Sequence, residues 1–210
     1  MKRNKTVLII GGDSGAKISA EIFEMQNYDV LFLETYAKEI DESKIVAKKI
    51  SEGTGFLEKK KVDYFIATGD NEQRRENFEK IYKKTNKNPI NCIHPSAYIS
   101  PSCMIGYGNL ICPFAVIHTG ASIGNNTIIN TASVIEHDCL IGDYAQISPN
   151  ATLCGRDVVG EGAFIGAGSV IIPKIKIGKM SVVAAGSSVI KDVPARVLYA
   201  GVPAVLKKKL

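Results

Sequence analysis

Three histidines and no tryptophan occur in this 210-residue chain. His137 stands in NTASVIEHDCLIGD with a carboxylate on each side, Glu136 and Asp138. A carboxylate on one imidazole nitrogen selects the tautomer whose other nitrogen is free to accept a proton. The triplet therefore reads as a general base with its support, although only one of the two carboxylates need reach the ring. His118 is the second candidate. His94, beside Pro95, reads as a surface or capping residue. The plainer alternative for His118 and His137 is an exposed turn histidine with no chemical role.

The elements that position these residues announce themselves by period. In steps of six from Ile93 to Val189, every step carries Ile, Leu or Val. Two residues before most of them stands a small one, among them Ala97, Cys103, Ala115, Ala121 and Ser133. Helices repeat every ~3.6 residues and strands every ~2, so a strict six belongs to neither. It predicts a solenoid whose coil is a triangle of three short parallel strands, with the large aliphatic inside and the small residue at the corner. Gly106, Gly124, Gly142, Gly160 and Gly178 recur every eighteen residues, one full coil. They are expected to mark one corner where the backbone conformation suits glycine. The same stacking puts His137 above Thr119 and below Gly155, and His118 beneath Glu136. A glycine beside a base lets a ligand approach the backbone, and its N–H can polarise an acyl carbonyl.

Composition narrows the field. The net charge of +5 is mild and partly concentrated in the terminal KKKL, too sparse for a nucleic-acid surface but suited to small anionic ligands. No apolar run is long enough to span a membrane, and the basic start MKRNK leads into a strand and a glycine turn, as in a cytoplasmic protein. Five cysteines without a Cys-x-x-Cys pair read as reduced structural thiols.

Ahead of the solenoid, residues 1–88 predict a small α/β domain. TVLII (Thr6 to Ile10) is a buried parallel-type strand running into GGDSGAK; a helix from Ala16 to about Met25 and a strand from Val30 to Leu33 follow, ending at Glu34-Thr35. Strand, glycine turn, helix, strand and acidic residue form a nucleotide-binding arrangement, while a tight turn needing glycine explains GGDSG equally well. Residues 36–62 form a variable connection with some helix. Tyr64 to Ala67 is a third strand, Gly69-Asp70-Asn71 a turn, and a helix begins near Asn71 with Arg74 in its first turns. The solenoid is expected over 89–192. Residues 193–210 read as a cap of exit loop, Gly201-Val202-Pro203-Ala204 turn and basic tail.

The hexapeptide series, FIATGDNEQRRENFEKI, IHPSAYISPS, NTASVIEHDCLIGDYAQISPNATLCG and the closing GVPA together resemble the NeuD/PglD group of sugar acetyltransferases over essentially the whole chain. The resemblance implies a Rossmann-like N-terminal domain, a left-handed parallel β-helix, a homotrimer with active sites between subunits, and acetyl-CoA as co-substrate. It implies His137 as general base, Asp138 as the carboxylate behind it, Asn130 near the reacting group and the Gly155 amide on the acetyl oxygen. Coenzyme A would lie along Gly166, Ala167, Ala185 and Gly186. The nucleotide would meet Gly11, Asp13, Ser14, Gly15, Glu34, Thr35, Gly69, Asn71 and Arg74. Three positions depart from the group's pattern: GGDSGA lacks a histidine, Glu34-Thr35 replaces a pair of aspartates, and Gln146 replaces a second histidine near the acetyl donor.

The implied reaction is acetylation of the 4-amino group of a UDP-, dTDP- or GDP-linked sugar, with no metal required because a thioester is already activated. The alternatives are O-acetylation of sialic acid or a related sugar, a zinc hydratase on the same helix, and a non-catalytic scaffold. The hydratase needs three converging histidines, which the spacing of His118 and His137 does not favour.

Overall fold

A computed structural model describes residues 5–11, 14–33, 42–47, 50–59 and 62–210. The chain divides into two compact units, Met1–Cys92 and Ile93–Leu210.

The first unit is built on β1 (Lys5–Ile10), α1 (Ser14–Met25), β2 (Tyr28–Leu33), β3 (Ile45–Ala47), α2 (Ile50–Lys59), β4 (Asp63–Ile66) and α3 (Asn71–Thr85). The strands make one parallel sheet in the order β3-β2-β1-β4. Val7, Leu8, Ile9 and Ile10 are all buried, as in a central strand covered on both faces. Helix α1 buries Ala16, Ser19, Ala20, Ile22 and Phe23, the stripe that its periodicity requires. Phe23 meets the edges of Tyr28 and Phe65 at 5.3 and 5.7 Å, so helix and sheet share one apolar core. Asp70 caps α3 by accepting from the Gln73 N–H at 2.8 Å, and Asn86 ends it in the left-handed conformation. Strand order reverses between β1 and β4, and the chain leaves both at the same edge. The connection expected only to hold some helix contributes edge strand β3 and helix α2.

The second unit is a parallel β-solenoid. Its two-residue strands lie on three faces, and each pairs with the strand eighteen residues away, as in Val134↔Val116 and Val134↔Thr152. The inward residue of every strand from Ile111 to Val189 is buried, and these side chains form one continuous core. The corners also share a conformation. From Gly108 to Gly186 every sixth residue has positive φ, whether glycine or, as at Phe114, Ala132, Asp138 and Arg156, a residue with a side chain.

The glycines at eighteen-residue spacing have a different cause from the one expected. None of the five has positive φ. A Cβ at Gly142 would lie 2.6 Å from the Glu161 N, and one at Gly160 2.6 Å from the Lys179 N. Close approach of the next coil, not backbone conformation, demands glycine at that corner.

The C-terminal segment extends the sheet instead of trailing from it. Val197–Gly201 pairs parallel with Val182–Val183 and antiparallel with Ala204–Lys209. Val193, Val197 and Ala204 close the end of the core.

Gly142→Ala is expected to destabilise the protein by about 1–3 kcal/mol, because only backbone could yield. Gly168→Ala, with open space around its Cβ position and only the left-handed backbone to strain, is expected to cost about 1 kcal/mol. Urea denaturation ranks the two; equal midpoints would contradict the packing argument.

Candidate active site

One coil carries the EHD triplet at the corner between the strands Val134–Ile135 and Leu140–Ile141. Ile135 and Cys139 are buried on either side and anchor the turn to the core. His137 and Asp138 project from it half-exposed. Asp138 adopts φ 59°, which turns its short side chain beside the preceding ring. His137 Nδ1 lies 2.9 Å from Asp138 Oδ2, so the ring donates there, and in the neutral imidazole this leaves the lone pair on Nε2. Glu136 makes no side-chain hydrogen bond among the described residues. Of the two flanking carboxylates, only one of which need reach the ring, Asp138 makes the contact and Glu136 does not.

The other histidines are held the opposite way. His118 Nδ1 accepts from the Thr119 N–H at 3.0 Å, and His94 Nδ1 accepts from the Ser96 N–H at 3.0 Å. Only His137 has Nδ1 against a carboxylate. Its Nε2 faces Gly155 one coil above, where a Cβ would run into Nε2 and Cε1. The Gly155 carbonyl accepts from the Lys174 N–H at 3.1 Å, whereas its own N–H donates to nothing among the described residues. A proton acceptor and an unoccupied backbone donor thus lie side by side, the pair an acyl transfer needs.

The Asp138 carboxyl is held below its usual range, chiefly by the His137 hydrogen bond and then by the charges of His137 and Arg156. Arg156 Nε stands 3.5 Å from Asp138 Oδ2. Sequence reasoning passed over Arg156, yet the eighteen-residue stack already placed Gly120, Asp138 and Arg156 in one column. It also passed over Asp157. This residue is fully buried behind the corner, with Oδ1 accepting from the Ile175 N–H at 2.9 Å and Oδ2 without a partner. Burial pushes its carboxyl up to about 7. Nearby, Cys139 donates to the Cys154 carbonyl at 3.1 Å, and burial pushes its thiol up to about 11, which suits a packing thiol better than a nucleophile.

The remaining candidates lie elsewhere on the solenoid. Asn130, Gly166, Ala167, Ala185 and Gly186 share the preceding corner, at the other end of the strands that lead to His137. Asn130 Oδ1 is taken by the Thr131 N–H at 2.8 Å. Gly186 has φ 67° and open space over its Cβ position. Gln146 is on a face, between Ile128 and Phe164 in the sheet. Within a single chain, then, the candidates divide between two corners and a face.

In the first unit, Gly11 has φ 138° and its Cβ position is 2.7 Å from the Ala67 carbonyl, which brings the ends of β1 and β4 together. Ser14 and Gly15 open α1. Asp13, Glu34 and Thr35 lie outside the described residues. Arg74 has a different task from the ligand contact expected of it. It is 1% exposed and donates to the carbonyls of Thr68 and Gly69, both at 3.0 Å, and to Asn71 Oδ1 at 2.7 Å. It shapes the Gly69–Asn71 turn from beneath. Among the described residues no group of three or more His, Cys, Asp or Glu is placed to hold a metal, and no helix is long and apolar enough to cross a membrane.

The family model for bacterial transferase hexapeptide (six repeats) matches residues 120–155, the stretch that contains the EHD corner. No curated protein sequence matches the chain. Among solved structures, a histidine variant of perosamine N-acetyltransferase from Caulobacter crescentus, in complex with CoA and GDP-perosamine, is 32% identical over 97% of each chain, with a TM-score of 0.89. The acetyltransferase domain of PglB from Neisseria gonorrhoeae FA1090, in complex with acetyl coenzyme A, is 29% identical over 99% of this chain and 100% of that one, with a TM-score of 0.86. WeeI from Acinetobacter baumannii AYE is 26% identical over 97% and 100%, with a TM-score of 0.83.

Asp157 generates a prediction with a definite sign. A carboxyl raised from 3.8 to about 7 in the folded state favours folding while protonated, and that contribution fades as pH rises from about 4 to about 7. Asp157→Asn should therefore remove a stability loss of up to about 1.4 kcal/mol per pH unit across that window. Urea midpoints of the two proteins at pH 5 and pH 8 test it; parallel pH dependences would show that Asp157 is charged throughout.

Proposed function

This chain belongs to the NeuD/PglD-type family of hexapeptide-repeat sugar acetyltransferases, and from that premise we propose that it transfers an acetyl group from acetyl-CoA to the 4-amino group of a nucleotide-linked sugar. The observation that carries the reading is the state of His137. Its Nδ1 is committed to Asp138, and its Nε2 faces Gly155, whose amide donates to nothing among the described residues.

In the proposed reaction the neutral sugar amine attacks the thioester carbon. His137 Nε2 takes the proton as the C–N bond forms, and Asp138 stabilises the resulting imidazolium. The Gly155 N–H receives the developing oxyanion. Collapse breaks the C–S bond, and the coenzyme A thiolate leaves. Positioning both substrates together supplies much of the rate.

The four-stranded parallel sheet supports a Rossmann-like reading of the first unit. Its order reverses between β1 and β4, where such sheets bind ligands outside the carboxyl ends of their strands. Gly11, Ser14 and Gly15 with the Gly69–Asn71 turn would receive the nucleotide, with Arg74 supporting that turn. The relative bound to GDP-perosamine makes a GDP-linked amino-sugar the first acceptor to try. The solenoid is taken as left-handed. Along one face the outward column runs Tyr98, Val116, Val134, Thr152, Val170 and Ser188, apolar at four of its six places, which supports a trimer. Association would let the Gly166–Ala167 and Ala185–Gly186 corner of one copy serve coenzyme A beside the His137 corner of another.

Thiol release from acetyl-CoA with GDP-, UDP- and dTDP-linked 4-amino-sugars and free sialic acid tests the proposal. One nucleotide amino-sugar is expected to support turnover, and His137→Ala is expected to lower kcat about 10²–10⁴-fold. Turnover with sialic acid alone would assign O-acetylation instead. Full activity in His137→Ala trimers would remove the base.

A further inference from the structure

We propose that Arg156 is a positioning residue for the acetyl transfer, holding the Asp138 carboxylate against the imidazole of His137. The inference rests on the reading of His137 as the base and extends it to a third side chain, contributed by the next coil.

Asp138 stands on an exposed corner, where a short carboxylate has several rotamers open to it. Three features confine it. His137 Nδ1 holds Oδ2 from the side at 2.9 Å, and Arg156 Nε approaches the same oxygen from the coil above at 3.5 Å. From the coil below, Gly120 leaves vacant the space that Oδ1 occupies, since a Cβ there would be 2.5 Å from that atom. Gly120, Asp138 and Arg156 are eighteen residues apart and all have positive φ, so the three residues stack in one column. The backbone ties the stack: the Asp138 N–H donates to the Thr119 carbonyl at 3.0 Å, and the Arg156 N–H to the His137 carbonyl at 2.9 Å.

The other charges near the column do not replace Arg156. Glu136 is of like sign to Asp138 and makes no hydrogen bond to it. Lys174 follows one coil further on, with its backbone N–H on the Gly155 carbonyl. Asp157 is buried behind the corner. Arg156 is thus the cation that meets the carboxylate supporting the base. A cation there helps to keep Asp138 ionised, so that its loss lets the supporting carboxyl protonate at higher pH.

The test is a double-mutant cycle of Arg156→Gln and His137→Asn, assayed with acetyl-CoA and the accepted amino-sugar. Arg156→Gln is expected to lower kcat about fivefold, the upper range for an exposed ion pair, with both KM values held within about twofold. The acidic limb of its kcat/KM profile should move up by about half a pH unit. Arg156→Lys, which keeps the charge, should restore most of kcat, and Arg156→Gln should add nothing in the His137→Asn background. An unchanged kcat and pH profile would overturn the proposal while leaving His137 as base. A raised KM for either substrate at constant kcat would also overturn it, making Arg156 a ligand contact. Full activity of His137→Asn would instead overturn the base and, with it, the role of Arg156.

Discussion

The parallel stacking of coils at an eighteen-residue register is the constraint on which the second unit depends. Each two-residue strand is too short to be stable alone. It persists because its peptide groups bond to the coils above and below while its aliphatic side chain joins a continuous internal column. One slipped residue would turn that side chain outward on every face. The register therefore specifies which residues neighbour one another along every corner as strictly as it specifies the core.

The site follows from that constraint. A corner must turn the chain from one face to the next within four residues, and the solenoid does so by putting every sixth residue in the left-handed conformation. At most corners this has no chemical consequence. At the EHD corner it falls on Asp138 and folds the carboxylate beside His137. The adjacent coils then supply a glycine for the ring to face, a glycine for the carboxylate to fill and a cation above it. The geometry that selects one ring nitrogen as the base is a property of three coils.

The first unit obeys a different rule. Its sheet is covered on both sides, so its binding capacity lies in the turns that leave the carboxyl ends of the strands. Gly11 is required there by the close approach of Ala67, and Arg74 spends its donors on the Thr68–Asn71 turn. A buried guanidinium that satisfies backbone carbonyls rigidifies a loop. Helix periodicity alone could not separate these roles, because the direction of a side chain at a helix start depends on the loop packed beneath it.

Sequence by itself determined the solenoid, its inward column and its stacking, because a period of six is inconsistent with any helix or plain strand. It determined His137 as a candidate base, and it paired His137 with Gly155 through the period alone. The family resemblance singled out Asp138 as the supporting carboxylate. Tertiary structure decided what periodicity leaves open. Glu136 and Asp138 flank the histidine equally in the chain, and only the left-handed backbone at Asp138 favours one of them. The spaced glycines are evident from sequence, but their reason, contact with the coil above, appears only once the coils are packed. Arg156 and Asp157 are adjacent residues of ordinary type. Stacking turns the first toward a carboxylate and the second into the core, because neighbours at a corner face opposite sides of the solenoid wall.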